Sequence, residues 1–428
     1  MKELFPSGTN ILRMVMALML TLASCGETSS STSQPDSSDA SASQPDSSDP
    51  SASQPDSMDA ENAGPNVDTA PDGVEMAPPG IAVLGNFTHD ISSVAVAVIA
   101  TEADGLNGPR DLEFHPTHPN QLWVLNRNDA SMVIFSELGT GDQSSVKKQD
   151  LVDSGEVFMP QGAALAFSPG GWEGTSNFAT IHEAYYPNDF PGGPPPDFMG
   201  PTLWTSNLDV FNGGHSGHLD MLHNTPMGMG IAWEKDNVYW VFDGHHSSIT
   251  RYDFALGQGP GSAFADDGIV SRYVSGQVKR EPDVVSHLAF DHSTDLLFIA
   301  DTGNNRVATL ATDSGTQGDD MPLDTLYDCV PAQDACSWHI MDDAILETFM
   351  DGAMHGISKP SALALEDDIL FISDYETGTL YAFDKEGQLM DWLDLQRPQA
   401  LGGMAFDSNG NLHVVDTIAH EIIKLSPQ

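Results

Sequence analysis

A short apolar triplet recurs six times in this chain: Leu112-Glu113-Phe114, Leu165-Ala166-Phe167, Ile231-Ala232-Trp233, Leu288-Ala289-Phe290, Leu363-Ala364-Leu365 and Met404-Ala405-Phe406. A second apolar strand follows, and in four cases it ends on an aspartate: Asp243, Asp301, Asp374 and Asp416. Such a unit cannot bury its own faces, so repeats of this period must stack on one another. From Gly80 onward, Gly and Asp turns separate short runs of Val, Ile, Leu, Phe and Trp, with no long segment of helical periodicity. The fold class is therefore all-β.

The shortest interval between triplets holds four short strands and their turns, labelled a to d from the axis outward. The fifth repeat shows them best, at Ser361–Leu365, Ile369–Asp374, Thr379–Asp384 and Gln388–Leu395. The last repeat has strands at Leu401–Phe406, Leu412–Asp416 and Glu421–Leu425 and lacks a fourth. A strongly β run at Ile91–Ile99 has no repeat of its own. It can supply the missing strand, which closes a ring and removes two exposed edges. Residues 80–428 are thus expected to form a six-bladed β-propeller latched by an N-terminal strand.

Ahead of the ring, residues 1–24 read as an export signal. Lys2 and Arg13 precede an apolar run, Met14 to Leu22, that is too short to span a bilayer as a mature helix. The run ends in Leu22-Ala23-Ser24-Cys25, which resembles a bacterial lipobox; the resemblance implies cleavage before Cys25 and lipid on its thiol. A plain secretory peptide is the other reading. Gly26, by analogy with lipoprotein sorting, points to the outer membrane. Residues 25–79 read as a tether: a ten-residue unit rich in Ser, Pro and Asp repeats three times from Ser31 to Ala60, too polar to offset the entropy of ordering. Cys329 and Cys336 remain as a local disulfide, which suits an oxidising compartment, or as two isolated thiols. The net charge of −46 argues against nucleic acid and anionic headgroups, and leaves a lipid anchor as the only membrane contact.

The stretch Asp295-Leu-Leu-Phe-Ile-Ala-Asp-Thr-Gly-Asn-Asn-Arg-Val307 resembles an NHL repeat, and Phe406–Asp416 is a second good match. The resemblance implies a six-bladed NHL-type propeller, a fold that hosts ligand scaffolds and enzymes alike. One enzyme with this fold, peptidylglycine alpha-amidating lyase, holds zinc with histidines at the entry to strand a of alternate blades. The corresponding positions here are Arg110, Ala163, Met229, Ser286, Ser361 and Gly402; none is His, and His287 lies one place further on, on the other face of its strand.

Loop topology gathers the groups that can do chemistry on one face, where d-to-a and b-to-c loops open. His223 and His355 lie in d-to-a loops, and His287 starts strand a between them. His245 and His246 follow one strand b, His182 and Glu183 end another, and Arg110 starts strand a of the first blade. His223, His287 and His355, with His245 and His182 as further ligands, suit zinc or another transition metal. Glu183, Asp243 or Arg110 would then serve in catalysis. The alternative is that each histidine merely caps a turn. The Asp ending strand b is expected to accept N–H bonds in its turn; Asp301–Asn305 and Asp407–Asn411 resemble fragments of calcium loops without their full ligand set. Two insertions stand out. Tyr185–Pro201 should overhang the histidine face, and Asp313–Trp338 should lie on the far face. Two functions follow: a propeller binding a ligand or polypeptide at one face, or a metal-dependent lyase or hydrolase at the same mouth.

Overall fold

Six sheets account for the repeats. The computed structural model describes residues 80–149, 158–185, 199–211, 218–255, 259–260, 267–322 and 337–428; the export signal, Cys25, the tether, Cys329, Cys336 and most of the Tyr185–Pro201 insertion lie outside them. Strands a to d are Pro109–Phe114, Gln121–Asn126, Ser131–Ser136 and Ser144–Gln149 in blade 1. Blade 2 has Gly162–Ser168, Asn177–His182, Thr202–Thr205 and His218–Met221. Blade 3 has Gly228–Lys235, Val238–Asp243, Ser248–Asp253 and Ile269–Tyr273. Blade 4 has Leu288–Asp291, Leu296–Asp301, Arg306–Ala311 and Leu346–Asp351. Blade 5 has Pro360–Glu366, Ile369–Asp374, Thr379–Phe383 and Leu389–Asp394. Blade 6 has Leu401–Phe406, Leu412–Asp416 and Glu421–Pro427, with Val94–Ala100 as its outer strand. Each strand a touches the next around the ring, blade 6 back to blade 1. The chain is a six-bladed β-propeller, the fold the NHL resemblance implies.

The core is divided among the blade interfaces. Along strand b of blade 1, Leu122 and Val124 pack toward blade 6, whereas Trp123 and Leu125 pack toward blade 2. Alternate side chains of one strand thus enter different clusters, because successive Cβ atoms leave opposite faces. That is why strand b reads as an unbroken apolar run rather than an alternation. Gly403 shows how closely blades approach: a Cβ there would meet Asp111 Oδ1 of blade 1 at 2.0 Å.

The latch forms as expected, with Val96 opposite Leu425 in an antiparallel pair. The segment before it is also tied down. Ile81, Val83 and Leu84 are buried against blades 5 and 6, and the Ile81 and Phe87 N–H groups donate to Asp391 Oδ2 at 3.2 and 3.1 Å. The Asp313–Trp338 insertion departs from expectation. Instead of only looping over the far face, it brings Thr316–Asp320 and Ser337–Asp342 together as a hairpin. Ser337–Asp342 then pairs in parallel with strand d of blade 3, making that sheet six-stranded. The repeat pattern could not reveal this, because the pairing joins an insertion of one blade to the rim of its neighbour. Among the described residues no helix is long and apolar enough to cross a membrane.

The strand-b aspartates do what turns need. Asp243 accepts from the His245 and His246 N–H groups, Asp374 from Lys359 and Glu376, and Asp416 from Ile418 and Ala419. Asp301 accepts from Lys279 N–H and from the side chains of Asn304 and Arg306. Asp391 plays the analogous part for the N-terminal segment. Replacing it by Ala strands the buried Ile81 N–H and the part-buried Phe87 N–H, which should lower stability by about 2 kcal/mol. Chemical denaturation measures the loss, and limited proteolysis should cut first between residues 80 and 100.

Candidate functional site

The six triplets meet on the propeller axis. Every one of them contributes walls to a single cavity of about 290 Å³. Exposure rises along strand a: Asp111, Leu288 and Leu363 are buried, whereas Phe290, Leu365 and Phe406 are half-exposed. The cavity therefore opens at the a-to-b loop face, where Trp233, His292 and Glu366 stand at its rim. This is the face opposite the one where the sequence gathers its histidines.

At the other end the axis is closed by charge. Glu183, 3% exposed, receives Arg127 Nη1 on Oε2 at 2.8 Å and Arg280 Nη1 on Oε1 at 2.8 Å. The Asp283 N–H donates to the same Oε1 at 3.0 Å, and Asp283 Oδ1 takes Arg127 Nη2 at 2.9 Å. Arg110, 5% exposed, lies 3.7 Å from Glu183 Oε2. Burial, and then the neighbouring Arg127, push the Arg110 guanidinium down to about 10. The structure thus joins Arg110 and Glu183, both singled out from sequence, and adds Arg127, Arg280 and Asp283, which were missed. The available signal was the convergence of arginines on b-to-c and d-to-a positions of a strongly acidic chain. Their grouping depends on contacts between distant blades and cannot be read locally. With its oxygens engaged by arginines and a backbone N–H, Glu183 acts as a structural counter-charge.

Below this plug, Asp111 and His287 face each other across the axis, His287 Nε2 lying 3.5 Å from Asp111 Oδ1. His287 is 6% exposed and its Nε2 makes no hydrogen bond. Burial holds its imidazole below the ordinary range, opposed by Asp111, while burial raises the Asp111 carboxyl, opposed by His287. Asp111 also links blades, since Oδ2 accepts from Leu165 N–H of blade 2 at 2.8 Å. Glu113, two residues on and on the same face, repeats the link to Phe167 N–H at 2.8 Å. Burial, reinforced by the Asp111 charge, pushes Glu113 up to about 8.

The other candidates are placed separately. His182 is buried in blade 2, its Nε2 3.0 Å from Thr180 Oγ1, and burial drives it down to about 3. The His223 carbonyl accepts from Tyr252 Oη at 2.8 Å. His245 packs edge-on against Tyr185 and against His246, and His246 Nδ1 lies 2.8 Å from Asp243 Oδ2. Asp243 is fully buried. His355 ends the one-turn helix Gly352–His355 and packs edge-on against Phe383. Among the described residues, no three or more His, Cys, Asp or Glu side chains form a group that could hold a metal ion. What the geometry does offer is an axial chamber walled by all six blades, with Asp111, Glu113 and His287 among its lining residues.

No protein-family model and no curated protein matches the sequence. Among solved structures, the chain is similar to an auxiliary nutrient binding protein from Bacteroides thetaiotaomicron VPI-5482, with 10% identity, TM-score 0.47, and 75% of this chain and 69% of that chain covered. A luciferin-regenerating enzyme is similar at 10% identity and TM-score 0.46, covering 78% and 95%. Virginiamycin B lyase from Staphylococcus aureus is similar at 12% identity and TM-score 0.43, covering 78% and 99%. These likenesses concern the fold and carry no ligand or reaction over to this chain.

Glu113 supplies a pH test. Folded protein keeps this proton to about pH 8, whereas the unfolded chain releases it near 4.5. Folding therefore takes up a proton in that window, and stability falls as pH rises through it. Glu113→Gln keeps an acceptor for Phe167 and removes the titration. Its melting temperature should exceed that of the parent at pH 9, and the difference should vanish below pH 4. Thermal melts across pH 4–9 measure both.

Proposed function

We propose that this chain is an exported propeller, anchored at the bacterial envelope by lipid on Cys25, that binds a small organic ligand in its axial cavity without converting it. One observation supports the binding: all six inner triplets converge on a chamber closed at one end by the arginine–Glu183 plug and open at the other. Concave sites with convergent polar groups are the usual form of a small-molecule site. Trp233, Phe290, Leu365 and Phe406, half-exposed in the lining, would hold an apolar body. Asp111, Glu113 and His287 would receive a donor-bearing end. Gly26 supports the outer membrane as the destination.

The reading has two tests. Ala289→Phe and Ala364→Phe fill the chamber from two walls. Protein purified from its native envelope should release a small molecule detectable by mass spectrometry. Adding it back should raise the melting temperature of the parent, by the mass-action gain of a native-state ligand, and not that of either variant. Equal shifts in all three would move the ligand away from the axis. For the anchor, Cys25→Ala should abolish labelling by an alkyne-tagged fatty acid; persistent labelling would refute lipid on that thiol.

A further inference from the structure

We propose a second binding site, for a neutral pyranose unit of a glycan, in the cleft between the a-to-b turns of blades 2 and 3. The cleft measures about 450 Å³ and is lined by Ser168, Trp172, Asn177, Trp233, Asp236 and Asn237, together with the backbone of Gly170 and Gly171.

The tryptophans carry the argument. Trp123, Trp204 and Trp240 are wholly buried. Trp172 and Trp233 are only half-buried, and both pack against the apolar cluster between blades 2 and 3 while lining the cleft. An indole supported by core on one side and bordering a concavity on the other is a stacking plate. Its electron-rich face attracts the weakly positive C–H face of a sugar ring.

The Trp172 backbone and the Trp233 ring are both tied down. The Trp172 N–H donates to Asn177 Oδ1 at 3.0 Å, and Thr175 Oγ1 donates to the Trp172 carbonyl at 2.8 Å. Trp233 Nε1 donates to the Asp236 carbonyl at 3.0 Å. Gly171 lets its loop lie flat on Asn177, since a Cβ there would sit 2.3 Å from Asn177 Oδ1. For Trp233 little side-chain entropy is then left to lose on binding.

The polar groups choose the occupant. Asn177 Nδ2 donates to Asn237 Oδ1 at 3.0 Å. Each carboxamide offers two N–H donors and two lone pairs, more than this linked pair consumes internally. Asn177 and Ser168 are buried, and Ser168 Oγ donates to the Gly170 carbonyl at 2.6 Å, so the half-buried Asn237 carboxamide and the exposed Asp236 carboxylate are the groups that meet sugar hydroxyls. No Lys, Arg or His lines the cleft, so an anion finds no counter-charge there. An acyl chain would press hydrocarbon on the carboxamides without hydrogen-bonding them. Trp233 also lines the axial cavity, yet Trp172, Asn177 and Asn237 do not, so the two sites can be probed apart.

The test titrates the full chain, purified in detergent, with neutral hexasaccharides of glucose (α- and β-linked), xylose, mannose and N-acetylglucosamine, followed by tryptophan fluorescence and calorimetry. At least one should bind. Trp172→Ala should weaken that binding about tenfold and Trp172→Phe about threefold. Ala364→Phe, in the axial chamber, should leave it unchanged. Circular dichroism checks each fold; if the alanine variant misfolds, the phenylalanine variant alone decides. The proposal is overturned if no hexasaccharide binds, if binding survives Trp172→Phe undiminished, or if only an apolar peptide occupies the cleft.

Discussion

Burial of strand b on both faces is the constraint from which the rest of this molecule follows. A strand whose every side chain is apolar needs a partner on each side, and the partner must have the same need. Stacking satisfies both only if the stack returns to its start, because any open end would expose the face of a whole sheet. Leu122 and Val124 meeting blade 6, while Trp123 and Leu125 meet blade 2, is the local form of that closure. The core is accordingly a set of wedges, with the axis left as the place where the innermost strands face one another.

That residual space explains why chemistry collects there. Strand a has one neighbour in its own sheet, so its free edge faces the axis. Asp111 and Glu113 use this position to bind the backbone of blade 2. At the same time they place carboxyls in a confined space where charge is disfavoured. The same confinement at the far end is answered by three arginines around Glu183. One end of the axis is sealed by ion pairing and the other left open, which gives the propeller a direction.

The fold was legible because its signals are short-range. Triplet, turn aspartate and strand-b run lie within a few residues of one another, and the missing last strand and spare first strand are visible as an imbalance. The site was legible only in part. Arg110, Glu183 and His287 were placed on the correct face by topology, but that face is plugged, and plugging is decided by Arg127 and Arg280 from blades far apart in sequence. Histidines sharing a loop class do not thereby share a point in space: His182 is enclosed within blade 2, while His355 packs on strand c of blade 5. The hairpin from blade 4 was invisible for a related reason. Its pairing partner belongs to another repeat.

The way the N-terminal segment enters the ring has a mechanical consequence. Residue 80 does not lead directly into the closing strand. It leads first into Ile81–Leu84, seated between blades 5 and 6, and its backbone is gripped by a carboxylate from blade 5. A pull delivered through the preceding chain is therefore met by that seat before it reaches the pairing of Val96 with Leu425. Tension and ring closure are borne by different bonds, so a protein tugged from its amino terminus has a strain relief ahead of its clasp.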